Sequence, residues 1–245
     1  MSAPLFSVVI ACRNPGSRLR SALESVWQQT GAEAEAVVVD GASTDGTREW
    51  LETQRNRLGA LLSEPDTGVY DAMNKGAKLA RGRWLLFLGA DDRLAGPDVL
   101  ARVAGAARTA QTELLCGEAA YTDGRIWRAP VSPNVRSRNF LHHQACFHHR
   151  SIFERHAFDA TLPVQADYEL NLRLWCAGVR PVPLAVRVSL CGTGGLSDGG
   201  RWANYRDEIR ARHRHFSAGQ CWGWDGLSVA RYLRKKIVRT FSPHG

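Results

Sequence analysis

Short apolar runs alternate with amphipathic segments along the first half of the chain. The apolar runs occupy residues 5–12, 36–39, 58–63 and 84–88, and each one ends at polar or turn-forming residues. The segments that begin at Ser17, Thr47 and Val69 between these runs are predicted helices. This alternation of strand and helix predicts an α/β fold with a mostly parallel sheet.

Beyond residue 100 the pattern changes. The predicted elements are a helix to about 109, a hairpin of strands 113–121 and 125–129, a loop at 130–145, a helix at 167–177, an extended segment at 179–190, a glycine-rich loop at 192–200, and helices at 201–216 and 226–241. Pro181 and Pro183 favour an edge position for the extended segment, because proline cannot donate to a neighbouring strand.

Composition and charge narrow the class of protein. The 245 residues are 44% hydrophobic and 23% charged, which is typical of globular domains. The net charge is +8, and residues 201–245 hold ten Lys and Arg against three acids, which indicates a local anionic partner. Six scattered cysteines without a Cys-x-x-Cys pair argue against structural zinc. Because we recognise neither a membrane-spanning run nor a signal peptide, we expect a cytoplasmic protein.

Two adjacent carboxylates follow the most apolar strand. The run at 84–88 leads through Gly89 and Ala90 to Asp91 and Asp92. Ligands of open α/β sheets bind beyond the carboxyl ends of the strands, and paired carboxylates there need a positive partner. We expect a divalent cation that carries a diphosphate, since Mg²⁺ binds one or two carboxylates together with substrate phosphates. The alternative is a surface turn in which Asp91 caps the next helix.

Four short motifs follow one another in the first half of the chain. They are Ser7-Val-Val-Ile-Ala-Cys-Arg-Asn14, Val39-Asp-Gly-Ala-Ser-Thr-Asp-Gly-Thr47, Ser63-Glu-Pro-Asp-Thr-Gly-Val-Tyr-Asp-Ala-Met-Asn-Lys-Gly76 and Leu86-Phe-Leu-Gly-Ala-Asp-Asp92. In this order and spacing they resemble glycosyltransferase family 2, most closely the branch that builds bacterial polysaccharides and glycolipids. The resemblance implies a GT-A fold, which is a Rossmann-like, mostly parallel sheet flanked by helices, here with a C-terminal helical extension.

The resemblance also implies an activity and a domain organisation. The expected reaction is an inverting transfer of a sugar from a nucleotide-diphosphate sugar to a hydroxyl of a saccharide or lipid-linked acceptor, with Mg²⁺ or Mn²⁺, in cell-surface polysaccharide synthesis. Residues 1–200 would form the GT-A domain, with the nucleotide sugar bound by 1–110 and the acceptor by 111–200. Residues 201–245 would form a basic helical extension.

Individual residues take expected roles from the same resemblance. Asp167 is the expected general base and Asp92 the expected metal ligand. The residues expected to bind the nucleotide sugar are Ala11, Arg13, Asp40, Asp66, Asp71, Asn74 and Asp91. An acceptor-side motif covers His142, His143 and Gln144. The chain departs from the commoner family pattern at Gly89 and Ala166, where many members carry acidic residues.

Ordinary structural roles stay open for several of these side chains. Asp40 and Asp167 are also placed to cap the helices that follow them. Asp71 would complement the positive end of its helix, and Arg13 would be a solvated loop charge. The alternative for the histidine motif is that its members are polar loop residues with an ordinary structural role.

The main alternative function is a catalytically degenerate nucleotide-binding module of a glycan-assembly complex, and Gly89 and Ala166 motivate it. A nucleotidyltransferase is disfavoured, because residues 11–18 hold one Gly and two Arg where a phosphate-binding loop would need more. We do not expect nucleic acid as a partner, since no nucleic-acid-binding motif accompanies the basic tail.

The C-terminal segment has a pattern of its own. Val229, Leu233, Ile237 and Phe241 recur every fourth residue, basic residues surround them, and Trp222 and Trp224 come just before. A basic amphipathic helix suits an anionic membrane surface, so we expect peripheral binding at the inner face of the membrane. A packing helix with a solvated basic face is the alternative.

Overall fold

The computed structural model of the chain describes residues 3–130, 134–193 and 201–241, with side chains up to residue 238. The strands are β1 (Phe6–Cys12), β2 (Ala34–Asp40), β3 (Ala60–Ser63), β4 (Trp84–Gly89), β5 (Arg93–Leu94), β6 (Leu114–Tyr121), β7 (Ile126–Arg128), β8 (Cys146–His149) and β9 (Val182–Cys191). The α-helices are α1 (Arg18–Trp27), α2 (Thr47–Thr53), α3 (Val69–Leu79), α4 (Val99–Thr109), α5 (Ser151–Arg155), α6 (Ala166–Cys176), α7 (Trp202–His213) and α8 (Ala218–Phe241). Most of the predicted glycine-rich loop lies outside the described residues.

One mixed sheet organises the chain. Its strands follow the order β3-β2-β1-β4-β8-β6-β9-β5, and β7 pairs with β6. Strands β3, β2, β1 and β4 are parallel neighbours, and β6 pairs in parallel with β9. Strand β8 runs antiparallel to both β4 and β6, and so joins the two parallel parts. The predicted α/β class and the predicted hairpin of β6 and β7 are confirmed.

Helices cover both faces of the sheet, and each face has its own core. Side chains of alternating direction along β1 divide between the two cores, with Ile10 on one side and Val9 on the other. Helices α1 and α4 pack on the Ile10 side, and α3 and α6 pack on the Val9 side. Gly76 lets α3 approach β1 closely, because a Cβ there would lie 2.4 Å from Val9 Cγ1.

Three sequence predictions need correction. Strand β8 and helix α5 were not predicted. The segment with Pro183 was expected at an edge, which holds at Pro183 itself, but the C-terminal end of β9 lies between β6 and β5. Proline is tolerated at residue 183 because β5 pairs only with Ser189 and Leu190, so Pro183 has β6 as its only described neighbour. Helix α8 was expected to begin at residue 226, but it begins at Ala218 and contains both tryptophans.

A buried arginine joins the C-terminal helices to the rest of the chain. Arg212 of α7 is 0% exposed. Its guanidinium donates to Glu208 Oε1 at 2.9 Å, to Asp225 Oδ1 at 2.9 Å and to Ser228 Oγ at 2.7 Å. It also donates to the Arg136 carbonyl at 3.2 Å, which joins α7 and α8 to the segment before β8. None of the helices in the described ranges is long and apolar enough to cross a bilayer.

Candidate active site

The carboxyl ends of the central strands open into the main cavity of the site. In the sheet register Cys12 lies beside Asp40, and Ala11 lies beside Gly89, so β1, β2 and β4 end at one level. A cavity of about 720 Å³ lies beyond these ends. Eight of the predicted site residues line it: Ala11, Arg13, Asp91, Asp92, His142, His143, Gln144 and Asp167. Donor-side and acceptor-side motifs that are far apart in sequence therefore share one space.

Asp92 is held in a tight turn after β4. It is 4% exposed, its Oδ2 accepts from the Gly89 backbone N–H at 2.9 Å, and its Oδ1 accepts from Gly192 at 3.1 Å. Burial raises the pKa of Asp92, and the neighbouring charge of Asp91 adds to this increase. Gly89 makes the turn feasible, because a Cβ at that position would lie 2.8 Å from Asp92 Oδ2 and 2.9 Å from Asp91 Oδ1.

This pair of carboxylates suits a hard divalent cation. A bound cation stabilises the ionised form of a buried carboxylate that has a raised pKa and lies beside a second carboxylate. In the described residues no cluster of three or more metal-binding side chains occurs. Mg²⁺ or Mn²⁺ would accordingly have to take its remaining ligands from substrate phosphates and water, which is the usual arrangement for Mg²⁺.

Asp167 lies in the first turn of α6 and is almost wholly buried, at 8% exposure. Its Oδ2 contacts Asn139 Nδ2 at 2.9 Å and His143 Nδ1 at 3.1 Å. Its Oδ1 accepts from the Tyr168 backbone N–H at 2.8 Å and lies 3.0 Å from the Tyr70 hydroxyl. Burial alone would raise the pKa of Asp167, but the contact with His143 and the other hydrogen bonds outweigh it and lower the pKa.

The two histidines of the acceptor-side motif have different surroundings. The His142 ring stacks on Trp127 at 4.5 Å, and its Nδ1 contacts the Tyr121 hydroxyl at 2.5 Å. Burial lowers the pKa of His142 to about 4, so this ring is neutral at physiological pH. His143 instead contacts the Asp167 carboxylate and keeps 18% of its side chain exposed in the cavity wall.

Asp40 and Asp66 lie at the strand ends but outside the cavity lining. Asp40 is 0% exposed, and it accepts hydrogen bonds from the Ser43 backbone and hydroxyl and from Ser63 Oγ at 2.7 Å. Asp66 Oδ1 accepts from the Gly68 backbone N–H at 2.9 Å. Both carboxylates thus order the turns after β2 and β3. Contact of either one with the nucleotide stays a prediction.

Asp71 and Asn74 do not reach the cavity, contrary to expectation. Asp71 accepts from the Thr67 backbone N–H at 3.0 Å and lines a separate cavity of about 280 Å³. Asn74 exchanges two hydrogen bonds with the Phe158 backbone, at 2.8 and 2.9 Å. Helix α3 presents Val69, Tyr70 and Met73 to the main cavity instead. Its rotation about its axis is set by the close approach of Gly76 to β1.

Several cavity residues were not predicted individually. They are Arg18, Tyr70, Arg125, Arg138, Asn139, Glu208 and Arg231. The enrichment of residues 130–145 in Arg, His and Asn is a signal that would have selected Arg138 and Asn139. No comparable signal marks Glu208 or Arg231, because α7 and α8 reach the cavity through tertiary packing. The arginines, together with Arg13, make the lining suitable for a diphosphate.

Comparison with known proteins identifies a family and relatives for this chain. The family described as "Glycosyl transferase family 2" matches residues 7–162. A relative from Mycobacterium tuberculosis (strain ATCC 25177 / H37Ra), named "PGL/p-HBAD biosynthesis glycosyltransferase", is 38% identical over 180 residues, which cover 71% of this chain and 70% of the relative.

Solved structures show the same fold at low sequence identity. Residues 1–349 of Staphylococcus aureus TarS, in complex with UDP-GlcNAc, superpose with a TM-score of 0.68 at 18% identity, covering 99% of this chain and 75% of that one. The mannosyltransferase PcManGT from Pyrobaculum calidifontis, in complex with GDP-Man and Mn²⁺, gives a TM-score of 0.64 at 19% identity, covering 87% of this chain and 64% of that one.

Proposed function

Since the chain belongs to glycosyl transferase family 2, we propose that it moves a sugar, with inversion, from a nucleotide-diphosphate sugar to a hydroxyl of a saccharide or glycolipid acceptor. One observation carries the proposal. The carboxylates after β4 and the Asp167–His143 pair at α6 line the same cavity of about 720 Å³. A direct displacement needs a leaving-group site and a proton acceptor on either side of the transferred sugar.

The donor side is proposed to use the strand ends. Arg13 and the other arginines of the lining would bind the diphosphate, and Asp91 would contact the ribose or the sugar. Asp92 would hold Mg²⁺ or Mn²⁺, because its buried carboxylate gains most from an added positive charge. The cation would supply Lewis-acid stabilisation of the negative charge on the departing diphosphate.

The acceptor side is proposed to use Asp167 and the groups bonded to it. The acceptor hydroxyl would enter beside His142, His143 and Gln144. It would lose its proton to Asp167 or to a group bonded to Asp167 as its oxygen attacks the anomeric carbon. The relative named for PGL/p-HBAD biosynthesis supports a glycolipid acceptor. The neighbours solved with UDP-GlcNAc and with GDP-Man support a nucleotide-sugar donor. We place the reaction in cell-surface glycan synthesis on the cytoplasmic side.

Thermal shift and turnover together test this function. UDP, GDP and dTDP would be added with and without Mn²⁺ or Mg²⁺, and we expect one nucleotide to raise the melting temperature in a metal-dependent way. Release of the nucleotide from the matching sugar donor should fall in Asp92→Asn and in Asp167→Asn. Normal turnover in both variants would refute the proposal. Nucleotide binding without turnover on a broad acceptor panel would favour the degenerate-module alternative.

A second proposal concerns helix α8, which we infer binds an anionic membrane surface. Trp222 is 77% exposed, Leu233 49% and Ile237 57%, so the apolar stripe points to solvent. The opposite face of α8, with Cys221 and Ser228, packs on the body. This exposure favours a membrane surface over the packing-helix alternative, since about half or more of each of these side chains is left uncovered. Exposed Arg234 and Lys236 flank the stripe, which suits anionic headgroups.

Vesicle sedimentation tests this surface. We expect salt-sensitive binding to vesicles of phosphatidylglycerol and phosphatidylcholine, and weaker binding to phosphatidylcholine alone. The double substitution Leu233→Glu and Ile237→Glu should abolish binding. Leu79→Glu is the matched control, because Leu79 is an exposed apolar residue of α3 far from α8 in sequence, at 38% exposure. Equal binding by the double variant and the control would contradict the inference.

A further inference from the structure

The Asp167 carboxylate is crowded by hydrogen-bond donors. Asn139, His143 and the Tyr168 backbone N–H contact its two oxygens at 2.8 to 3.1 Å. The Tyr70 hydroxyl is also within reach, at 3.0 Å, although it shares its proton with the Val164 carbonyl at 2.8 Å. A carboxylate has about four lone-pair sites. Little of this carboxylate is left to accept a proton from an incoming hydroxyl.

The contact with Asp167 fixes the tautomer of His143. An ionised carboxylate only accepts hydrogen bonds, so Nδ1 of the imidazole must carry the proton that lies between them. The neutral ring then has its lone pair on Nε2. Within the described residues no other hydrogen bond of the His143 ring occurs, and His143 lines the main cavity. An unoccupied basic nitrogen is therefore available on the acceptor side.

We propose that His143 is the group that takes the proton from the acceptor hydroxyl, and that Asp167 is a positioning residue that orients and stabilises it. This inference rests on the proposed transfer reaction. The hydroxyl oxygen forms a bond to the anomeric carbon, and the bond from that carbon to the diphosphate oxygen breaks, with its electron pair leaving on the diphosphate. The hydroxyl proton moves to Nε2, and the imidazolium that results faces the Asp167 carboxylate.

The surrounding charges fit this division of roles. The hydrogen bonds that lower the pKa of Asp167 make its carboxylate a weak base. The imidazolium would gain from two negative groups, Asp167 in direct contact and Asp92 through space. His142 and His148 also lie near His143, and burial lowers the pKa of each to about 4, so both stay neutral beside it. His142 is a poor proton acceptor by comparison, because burial lowers its pKa to about 4 and Trp127 covers one face of its ring.

Two substitutions at residue 143 separate the alternatives. Asn can place an amide N–H near the position of Nδ1, so His143→Asn keeps the hydrogen bond to Asp167 but removes the basic nitrogen. If His143 is the base, His143→Asn lowers turnover by about 10²–10⁴-fold, and added imidazole partly rescues His143→Ala. If Asp167 is the base, His143→Asn stays within a few-fold of wild type, and that result would overturn the proposal. His156→Asn is the control, since it makes the same chemical change outside the cavity lining.

A spectroscopic test does not depend on turnover. Long-range ¹H–¹⁵N correlation spectra of the full chain, with the His143 signals assigned by their loss in His143→Asn, report which ring nitrogen carries the proton. We expect the Nδ1–H tautomer in wild type and a changed one in Asp167→Ala. An Nε2–H tautomer in wild type would overturn the proposal. Failure of the proposed function would look different, because no UDP or GDP sugar would bind while the tautomer stayed as described.

Discussion

Replacing Arg212 by Met should destabilise the protein more than the same substitution at Arg206 or Arg210, the other arginines of α7. The guanidinium is fully buried and donates to Glu208, Asp225 and Ser228. Methionine fills much of the same volume but removes every one of these hydrogen bonds. The carboxylates then lose their central partner, although Glu208 keeps Arg231 and Asp225 keeps His213 at 2.7 Å.

The size of the loss in stability follows from the two carboxylates that remain without Arg212 as a partner. Removing one partner of a buried ion pair costs about 3–5 kcal/mol, and the remaining partners of Glu208 and Asp225 favour the lower end. For a domain of this size a loss of about 3 kcal/mol corresponds to a decrease of about 6–12 °C in melting temperature. Arg212→Lys should fall between Met and wild type, because an ammonium cannot reproduce the forked geometry of a guanidinium.

Unfolding in guanidinium chloride, followed by circular dichroism, measures this difference in stability between wild type and variant. The matched control is Arg210→Met, because Arg210 has 52% side-chain exposure and lies 3.7 Å from Asp207, which also contacts Arg206 at 3.2 Å. Asp207 is buried, but it keeps Arg206 when Arg210 is removed, and the contribution of a pair whose arginine is exposed is about 0–1 kcal/mol. A midpoint for Arg212→Met that equals or exceeds the midpoint of Arg210→Met would refute the reasoning. It would show that apolar packing replaces the buried network without loss.

Three further substitutions have defined outcomes. Gly76→Ala should cost about 1–3 kcal/mol in urea unfolding, because its Cβ would lie 2.4 Å from Val9, whereas Gly105→Ala in open space should stabilise by about 1 kcal/mol. Burial alone would raise the pKa of Glu35, but hydrogen bonds from Ser7 and Arg81 lower it. The stability from ionised Glu35 is thus present above its unfolded pKa and lost as pH falls through its lower folded pKa, so the gap in melting temperature between wild type and Glu35→Gln should shrink as the pH falls below 4.5, the ordinary pKa of this side chain. Asp92→Asn should remove the metal-dependent part of the nucleotide thermal shift, and Asp71→Asn should retain it; equal shifts in both variants would contradict the placement of the metal.

The first half of the fold was predictable because its periodicity is strong. Strands β1 and β4 are continuous apolar runs, and turn residues bound them, so local pattern and tertiary position agree. Strand β8 was missed for the opposite reason. Its four residues include His148 and His149, and His148 is 3% exposed. Two consecutive histidines give no strand signal, and only the space between β4 and β6 makes the segment extended.

The structure brings the residues predicted after β4 into the cavity lining, whereas the residues predicted on α3 lie outside it. Asp91 and Asp92 follow β4 directly, so their place depends on one strand only. The direction in which α3 points Asp71 and Asn74 depends on its rotation about its axis, which contacts with β1 and with the Phe158 backbone decide. The close pairing of His143 with Asp167 joins residues 24 positions apart. Neither motif contains information about the other, so the pair emerges only in three dimensions.

The turn at Gly89 constrains how this site can change by mutation. Asp91 and Asp92 fold back over the space that a side chain at residue 89 would need, so acquiring an aspartate there is not an independent step. Such a change requires the Asp91 and Asp92 carboxyl groups to move, and Asp92 would then give up its hydrogen bond to the Gly89 backbone. A side chain at residue 89 would therefore change the geometry of the carboxylate pair itself.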